Sequence, residues 1–228
     1  VYQDGIARGV TDRTTVPDFL PGNTDWQEEF FKLGVQQKND LSISGGSKNA
    51  RFRVSYGHMS NSGAQIGRNM RRQTVSINST LTRGIVTFGE SLQMGLTSMK
   101  TPAYTTLGEV VGMLPIVPIY DDSEFGKLGY GIGNSERGYT TAHNIVAESN
   151  YDNGWTETQN IYMRGNAYMQ VRVPGVKGLT YKLSLGANIN DNQSRSWSTG
   201  VNYALNFTDQ SSSATANASR RTSFIVEN

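Results

Sequence analysis

The sequence contains no cysteine and only two histidines among its 228 residues. The lack of cysteine excludes a disulfide-stabilised scaffold and the thiolate zinc sites. His58 and His143 stand far apart, and neither has a second ligand at a metal-binding spacing. Charge is scarce and balanced, with 21 Lys and Arg against 19 Asp and Glu, which excludes a strongly basic nucleic-acid binder. We therefore expect no metal, no cofactor and no nucleic-acid partner.

Long hydrophobic runs are also missing. The most apolar segment, residues 110–120, has eleven residues and contains Pro115 and Pro118. A membrane-spanning helix needs about 20 apolar residues and tolerates proline poorly in its interior. A membrane-spanning strand needs only about 9–11 residues with one apolar face, so strands remain an option.

Alternation of apolar and polar residues is the main positive signal. From Leu179 to Ile189 every odd position is apolar, and the even positions between them carry Thr, Lys, Ser, Gly and Asn. This period of two indicates a strand with one apolar and one hydrated face. The same pattern recurs in residues 41–44, 51–56, 74–81, 86–97 and 161–173.

The connections between these segments alternate strictly between short and long. Short ones fall at 45–49, 82–84 and 174–177, and long ones at 61–70, 102–157 and 191–221. In a meander, all short turns then lie at one end of the sheet and all long loops at the other. Outer-membrane β-barrels have this arrangement, with short periplasmic turns and long extracellular loops.

Several segments are similar to a known family. Residues 23–29 (NTDWQEE), 41–47 (LSISGGS) and 54–57 (VSYG) resemble the junction of plug and barrel in SusC/RagA-type TonB-dependent transporters. Residues 177–181 (KGLTY) resemble a periplasmic turn of that family, and 223–228 (SFIVEN) resemble the start of a later strand. The resemblance covers roughly residues 20–98, 158–190 and 222–228.

The resemblance implies an all-β fold, an antiparallel transmembrane meander of about seven or eight strands from a 22-stranded barrel. Residues 1–22 would be the end of the plug domain and its linker. Residues 23–228 would be the first part of the barrel, with extracellular loops at 99–158 and 191–221. The chain would then be an internal piece of a transporter of the bacterial outer membrane.

The implied function is uptake of oligosaccharides or peptides, not catalysis. Implied partners are a SusD/RagB-like surface lipoprotein acting as a lid, the TonB–ExbB–ExbD complex acting through the plug, and outer-membrane lipid. A homodimer of transporter–lipoprotein pairs is a further option. Polar positions such as Arg51, Arg53, Arg164 and Asn166 would line the path or hold the plug.

Aromatic residues of the long loops are the candidate substrate contacts, because an amphipathic ring suits both sugar faces and peptide side chains. They are Tyr104, Tyr120, Tyr130, Tyr139 and Trp155. Packing within the loop or an interfacial girdle would explain the same rings. We expect the loop 102–157 to be ordered, to pack over the barrel mouth and to contact the lipoprotein or the ligand.

Two local features leave alternatives open. Asp121, Asp122 and Glu124 form an acidic cluster that suits either a solvated turn or calcium, although the twelve-residue calcium-loop pattern is absent. Glu90 falls on an otherwise apolar strand face, where a carboxylate is costly in lipid. Either a bulge at Gly89 turns it inward, or it lies at headgroup level, or it meets a neighbouring protein.

Two competing classes share the alternating pattern. A secreted β-sandwich acting as an adhesin or carbohydrate-binding module needs no membrane, but its strands are usually shorter. A small eight-stranded barrel needs the first strand to pair with the segment that starts near Ser223. The strict alternation of short and long connections favours the transporter.

Overall fold

A computed structural model describes residues 23–102, 107–122, 129–131, 143–198 and 215–227. Three short helices occur in these ranges: α1 (Trp26–Phe30), α2 (Leu107–Gly112) and α3 (Ile145–Glu148). No helix there combines the length and apolar character needed to cross a membrane. The strands are β1 (Val35–Gly46), β2 (Ala50–Ser62), β3 (Asn69–Arg83), β4 (Val86–Pro102), β5 (Gly154–Arg172), β6 (Thr180–Ser198) and β7 (Thr215–Glu227).

The seven strands form one antiparallel sheet in sequence order, from β1 to β7. Every neighbouring pair is antiparallel, so the sheet is a meander, and it is not closed. The short connections (47–49, 84–85 and 173–179) therefore lie at one end, and the long ones (63–68, 103–153 and 199–214) at the other. The predicted all-β antiparallel meander is confirmed. We call the second end the long-loop end.

The strand register separates a mainly apolar face of the sheet from a mainly polar one. One row of directly paired residues crosses β1 to β6 with apolar side chains: Leu41, Tyr56, Val75, Met94, Met163 and Ile189. The adjacent row, on the opposite face, is mostly polar: Ser42, Ser55, Ser76, Gln93, Arg164 and Asn188. We call these the apolar face and the polar face.

The apolar face is not covered by any other described part of the chain. Its exposed large hydrophobic side chains are Leu41, Ile43, Phe52, Val54, Tyr56, Leu81, Phe88, Leu96, Ile161, Met169, Tyr181, Leu183 and Leu185. In the described ranges the buried hydrophobic side chains instead lie outside the strands, and form a small separate core. A contiguous apolar surface of this size is typical of a site that contacts protein or membrane.

The predicted loops 99–158 and 191–221 are too long. Strand β4 continues to Pro102 and β5 already begins at Gly154, while β6 continues to Ser198 and β7 begins at Thr215. Near the long-loop end both faces carry polar residues, so the alternation that identifies a strand disappears from the sequence. The strands continue there because their backbones remain paired in unbroken register.

The structure removes one alternative for Glu90. The β3–β4 and β4–β5 registers run without interruption through Ser79, Glu90 and Ala167, so Gly89 marks no bulge. Glu90 therefore shares the apolar face with Phe88 and Leu92. The Ser79 hydroxyl donates a hydrogen bond to its carboxylate over 3.1 Å, which satisfies one acceptor position.

Candidate functional site

A small folded unit, which we call the cap, lies at the long-loop end of the sheet. It consists of residues 23–34 and the described parts of the β4–β5 connection. Asp25 caps the N-terminus of α1: its carboxylate accepts hydrogen bonds from the amides of Gln27 and Glu28 at 3.0 Å. Trp26 and Phe30, four residues apart on one face of α1, are buried against the connection. Their partners in the core are Val110, Met113, Val117 and Ile145.

Hydrogen bonds fix the N-terminal segment of the cap to the β4–β5 connection. The Thr24 amide donates to Pro115 O over 2.8 Å, and the Thr24 hydroxyl donates to Val117 O over 2.9 Å. The Trp26 indole N–H donates to Leu114 O over 3.1 Å. The connection therefore has defined structure here, as expected for a segment rich in proline and aliphatic residues.

Asn144 is the polar centre of the cap and is fully buried. Its side-chain oxygen accepts hydrogen bonds from the Val146 and Ala147 amides, both at 3.1 Å, and so caps α3. Its amide nitrogen donates to Ile119 O at 2.9 Å and to Gly131 O at 2.7 Å. One side chain thus joins the start of α3 to the two paired segments around Tyr120 and Tyr130.

His143 lies beside two carboxylates in the cap. Its Nδ1 is 2.9 Å from Glu148 Oε1, and its backbone amide donates to Glu109 Oε2 over 2.6 Å. The hydrogen bond to Glu148 raises the pKa of His143 above its usual value; burial acts in the opposite direction but is the smaller effect. This arrangement favours the imidazolium form and binds α2 and α3 together through charge.

A second set of contacts joins the cap to the β2–β3 connection. The Tyr151 hydroxyl donates to Gly67 O and accepts from the Asn69 side-chain amide at 3.0 Å. The Lys100 ammonium lies 4.1 Å from the centre of the Tyr151 ring, within cation–π range. Gly67 has φ of +72°, and a Cβ there would collide with Pro102, so glycine suits this position.

The candidate aromatic residues do not converge on one site. Tyr120 and Tyr130 pair across an isolated bridge, with ring centres 5.4 Å apart, and Tyr120 is largely exposed. Trp155 lies in β5, opposite Pro102, with the Lys100 ammonium 5.0 Å from its ring centre. Tyr104 and Tyr139 lie outside the described residues.

The polar face is a second candidate surface, and sequence reasoning found only part of it. Two tyrosine rings lie flat across glycines of the neighbouring strand: Tyr162 over Gly95, and Tyr168 over Gly89. A cation accompanies each ring. The Arg164 guanidinium is 5.6 Å from the Tyr162 ring centre, and the Lys182 ammonium is 4.5 Å from that of Tyr168.

Within the described ranges, no group of three or more His, Cys, Asp or Glu side chains lies close enough together to hold a metal ion. Asp121 and Asp122 of the acidic cluster lie within those ranges, and Glu124 lies outside them.

The cap core was missed at the sequence level. Its local signal was present: Asp25 is a strong helix N-cap residue followed by Trp26 and Phe30 at helical spacing, and Asn144 stands directly before an apolar run. No local pattern shows that these two distant segments pack against each other.

Two proteins of known sequence that this chain is similar to are both TonB-dependent receptors. No family model matches the chain. It is 41% identical over 61 residues to the TonB-dependent receptor SusC of Bacteroides thetaiotaomicron, covering 27% of this chain and 6% of that protein. It is 27% identical over 187 residues to the TonB-dependent receptor P3 of Formosa agariphila, covering 76% of this chain and 17% of that protein.

Solved structures of the RagAB peptide importer share the fold. The closed-closed state has a TM-score of 0.66 at 19% identity, covering 95% of this chain and 24% of that chain. The open-open state has a TM-score of 0.65 at 18% identity, with the same coverage. The chain thus spans at most about a quarter of the length of these relatives.

The fold is therefore that of a β-barrel wall: the open seven-stranded meander matches part of the RagAB barrel. The resemblance to SusC/RagA-type TonB-dependent transporters is then confirmed by sequence and fold together. The relatives are receptors and importers rather than enzymes, which agrees with the expected absence of catalysis.

Proposed function

We propose that this chain is part of a TonB-dependent importer that takes up oligosaccharides or peptides across the bacterial outer membrane. The observation that carries the proposal is the exposed apolar face, combined with a hydrophobic core that lies outside the strands. A sheet with such a face is stable when hydrocarbon covers it, and a barrel wall in a bilayer supplies that cover.

The same observation disfavours the secreted β-sandwich. A sandwich buries its inner face beneath a second sheet about 10 Å away. The described strands all belong to one sheet, and Leu41, Leu183 and Leu185 on its apolar face remain exposed. The strands are also long, at 12 to 19 residues, which suits a tilted crossing of a membrane.

In this proposal the short connections face the periplasm and the long-loop end faces the exterior. Residues 1–22, which lie outside the described ranges, are assigned to the end of the plug and its linker, and residues 23–228 to the first part of the barrel. Energy from TonB–ExbB–ExbD then acts on the plug to open a path along the polar face.

The cap is the proposed contact for a SusD-like lipoprotein lid or for the ligand. Its support is that it is folded and still exposes apolar side chains, including Leu107, Val111 and Tyr120. Tyr120, Tyr130 and Trp155 remain the candidate substrate contacts, together with Tyr104 and Tyr139. The transporter–lipoprotein pair is free to form a homodimer in this proposal.

Cysteine labelling tests the orientation, because this part of the protein has no cysteine of its own. Asp122→Cys in the cap should react with a membrane-impermeant maleimide on intact cells. Lys177→Cys, in a short connection, should react only after the outer membrane is permeabilised. Labelling of Lys177→Cys on intact cells would refute the proposed orientation.

Uptake tests the function in the full-length transporter. Removing residues 121–137 should leave barrel assembly intact and reduce ligand uptake or lipoprotein binding. Deletion of TonB should abolish uptake without affecting assembly. A loop-deleted transporter that assembles and imports at the wild-type rate would show that this part of the cap has no role in transport.

A further inference from the structure

The charges of the strands are distributed unequally between the two faces. On the polar face, the described strands carry Lys or Arg at eight positions: Lys38, Arg51, Arg53, Arg72, Arg164, Arg172, Lys182 and Arg221. Among the strand side chains that the structure describes, Asp40 is the one carboxylate of this face. The chain as a whole is nearly neutral, so this face has a local excess of cations.

Some of these cations already have partners. Lys38 pairs with Asp40 at 2.8 Å, and Arg172 donates to Gly84 O at 2.7 Å. The Lys182 ammonium lies 4.5 Å from the Tyr168 ring centre, and the Arg164 guanidinium lies 5.6 Å from that of Tyr162. Arg53 and Arg164 form no ion pair with a carboxylate in the described part of the chain.

Arg164 stands at a shallow depression of about 230 Å³ in the sheet surface. The register places Asn188 directly opposite Arg164, and Gly186 opposite Asn166. Gly186 contributes no side chain, and Arg164, Asn166 and Asn188 line the open space above it. No side-chain hydrogen bond occupies Asn166 or Asn188 within the described ranges.

A planar guanidinium flanked by amide donors matches the geometry of a carboxylate or sulfate group. Opposite charge along the wall of a narrow pore also raises the local concentration of a charged ligand. Nearby, the rings of Tyr162 and Tyr168 lie across Gly95 and Gly89, on the same face as hydroxyl and amide side chains. This combination suits a sugar ring, which has an apolar face and a rim of hydroxyl groups.

We propose that the polar face carries an anion-binding subsite, formed by Arg164, Asn166 and Asn188, that binds the acidic groups of an anionic oligosaccharide. The inference rests on the proposed function, because it places the polar face in the transport path. It narrows the ligand class from oligosaccharides or peptides in general to acidic oligosaccharides.

Three probes of equal length test the subsite in the full-length transporter with its partner: tetragalacturonate, its fully methyl-esterified form, and a tetraglutamate peptide. Binding is measured by calorimetry. Tetragalacturonate should bind at least about tenfold more tightly than the uncharged ester, because one hydrogen bond to a charged group contributes at least that much binding free energy. Raising the salt concentration should reduce this preference.

Arg164→Gln should weaken binding of tetragalacturonate by about tenfold and leave the ester unchanged. Arg164→Lys keeps the charge but loses the planar guanidinium. Its affinity for tetragalacturonate should therefore lie between those of the wild type and Arg164→Gln. Arg71→Gln, on the apolar face of β3, is the matched control and should leave both affinities unchanged. Equal loss for the charged and uncharged probes would overturn the proposal.

Other results would also test the anion-binding proposal. Tighter binding of tetraglutamate than of tetragalacturonate would assign the subsite to acidic peptides and overturn the proposal. An Arg164→Gln transporter that fails to assemble its plug, with charge preference intact, would assign Arg164 to plug packing. If neutral oligosaccharides are imported without charge preference, only this inference fails; if no oligosaccharide or peptide is imported at all, the proposed function fails.

Discussion

Replacement of Asn144 by alanine should loosen the cap and leave the sheet unaffected. The mutation removes the helix cap of α3, which is worth about 0.5–2 kcal/mol. It also removes the donor to Gly131 O, and a buried carbonyl without a partner costs about 1–3 kcal/mol. Ile119 O keeps a hydrogen bond from the Gly131 amide, so it adds little. The expected local destabilisation is therefore about 1.5–5 kcal/mol.

Hydrogen exchange of the α3 amides in the purified transporter measures this loss. At about 1.4 kcal/mol per factor of ten, exchange should accelerate about 10- to 4,000-fold. Amides of β4 and β5 provide an internal reference and should not change. Asn144→Ser keeps a capping oxygen and should lose only the contribution of the donor. If Asn144→Ala leaves the exchange of α3 unchanged, the argument for a buried polar centre is wrong.

Three further predictions concern other parts of the chain. Leu185→Arg on the apolar face should cost about 2–4 kcal/mol of folding stability in a lipid refolding assay, whereas Asn188→Arg on the polar face should be mild; equal costs would contradict the lipid-facing assignment. The folded pKa of His143 is raised, so its contribution to cap stability is present below pH of about 6.5 and lost as the pH rises through the folded pKa. The protection of the cap amides, corrected for the intrinsic pH dependence of exchange, should fall as the pH rises above about 6.5, and His143→Gln should remove this dependence; an unchanged pH profile in the variant would refute the role of the imidazolium. Phe30→Ala should destabilise the cap by about 3–5 kcal/mol, whereas Phe31→Ala, at the more exposed neighbouring position, should cost less than about 1 kcal/mol in the same measurement.

The sequence predicted the sheet well because one physical signal dominates it. Along β6, the apolar face from Leu179 to Ile189 contacts a different medium from the polar face, and period-two alternation records that difference directly. The signal ends near Asp191, although β6 continues to Ser198. Beyond that point both faces are mostly polar, so the alternation disappears although backbone pairing and cross-strand contacts such as Arg195–Glu157 continue.

The cap was beyond sequence reasoning for a different reason. Trp26 and Val117 meet in one core although the whole of β1 to β4 separates them in the chain. Periodicity describes the neighbourhood of a residue and carries no information about such distant partners. The buried role of Asn144 has the same origin, because two of its hydrogen bonds reach carbonyls of another segment.

The cap is discontinuous in the chain, and this has a consequence for loop exchange between related transporters. A graft that replaces only the β4–β5 connection would leave Trp26 and Phe30 without the apolar partners they now pack against. It would also remove the three carbonyls that accept from Thr24 and Trp26. A chimera that transfers residues 23–34 together with the connection carries both halves of the buried core, so these two segments should be exchanged together.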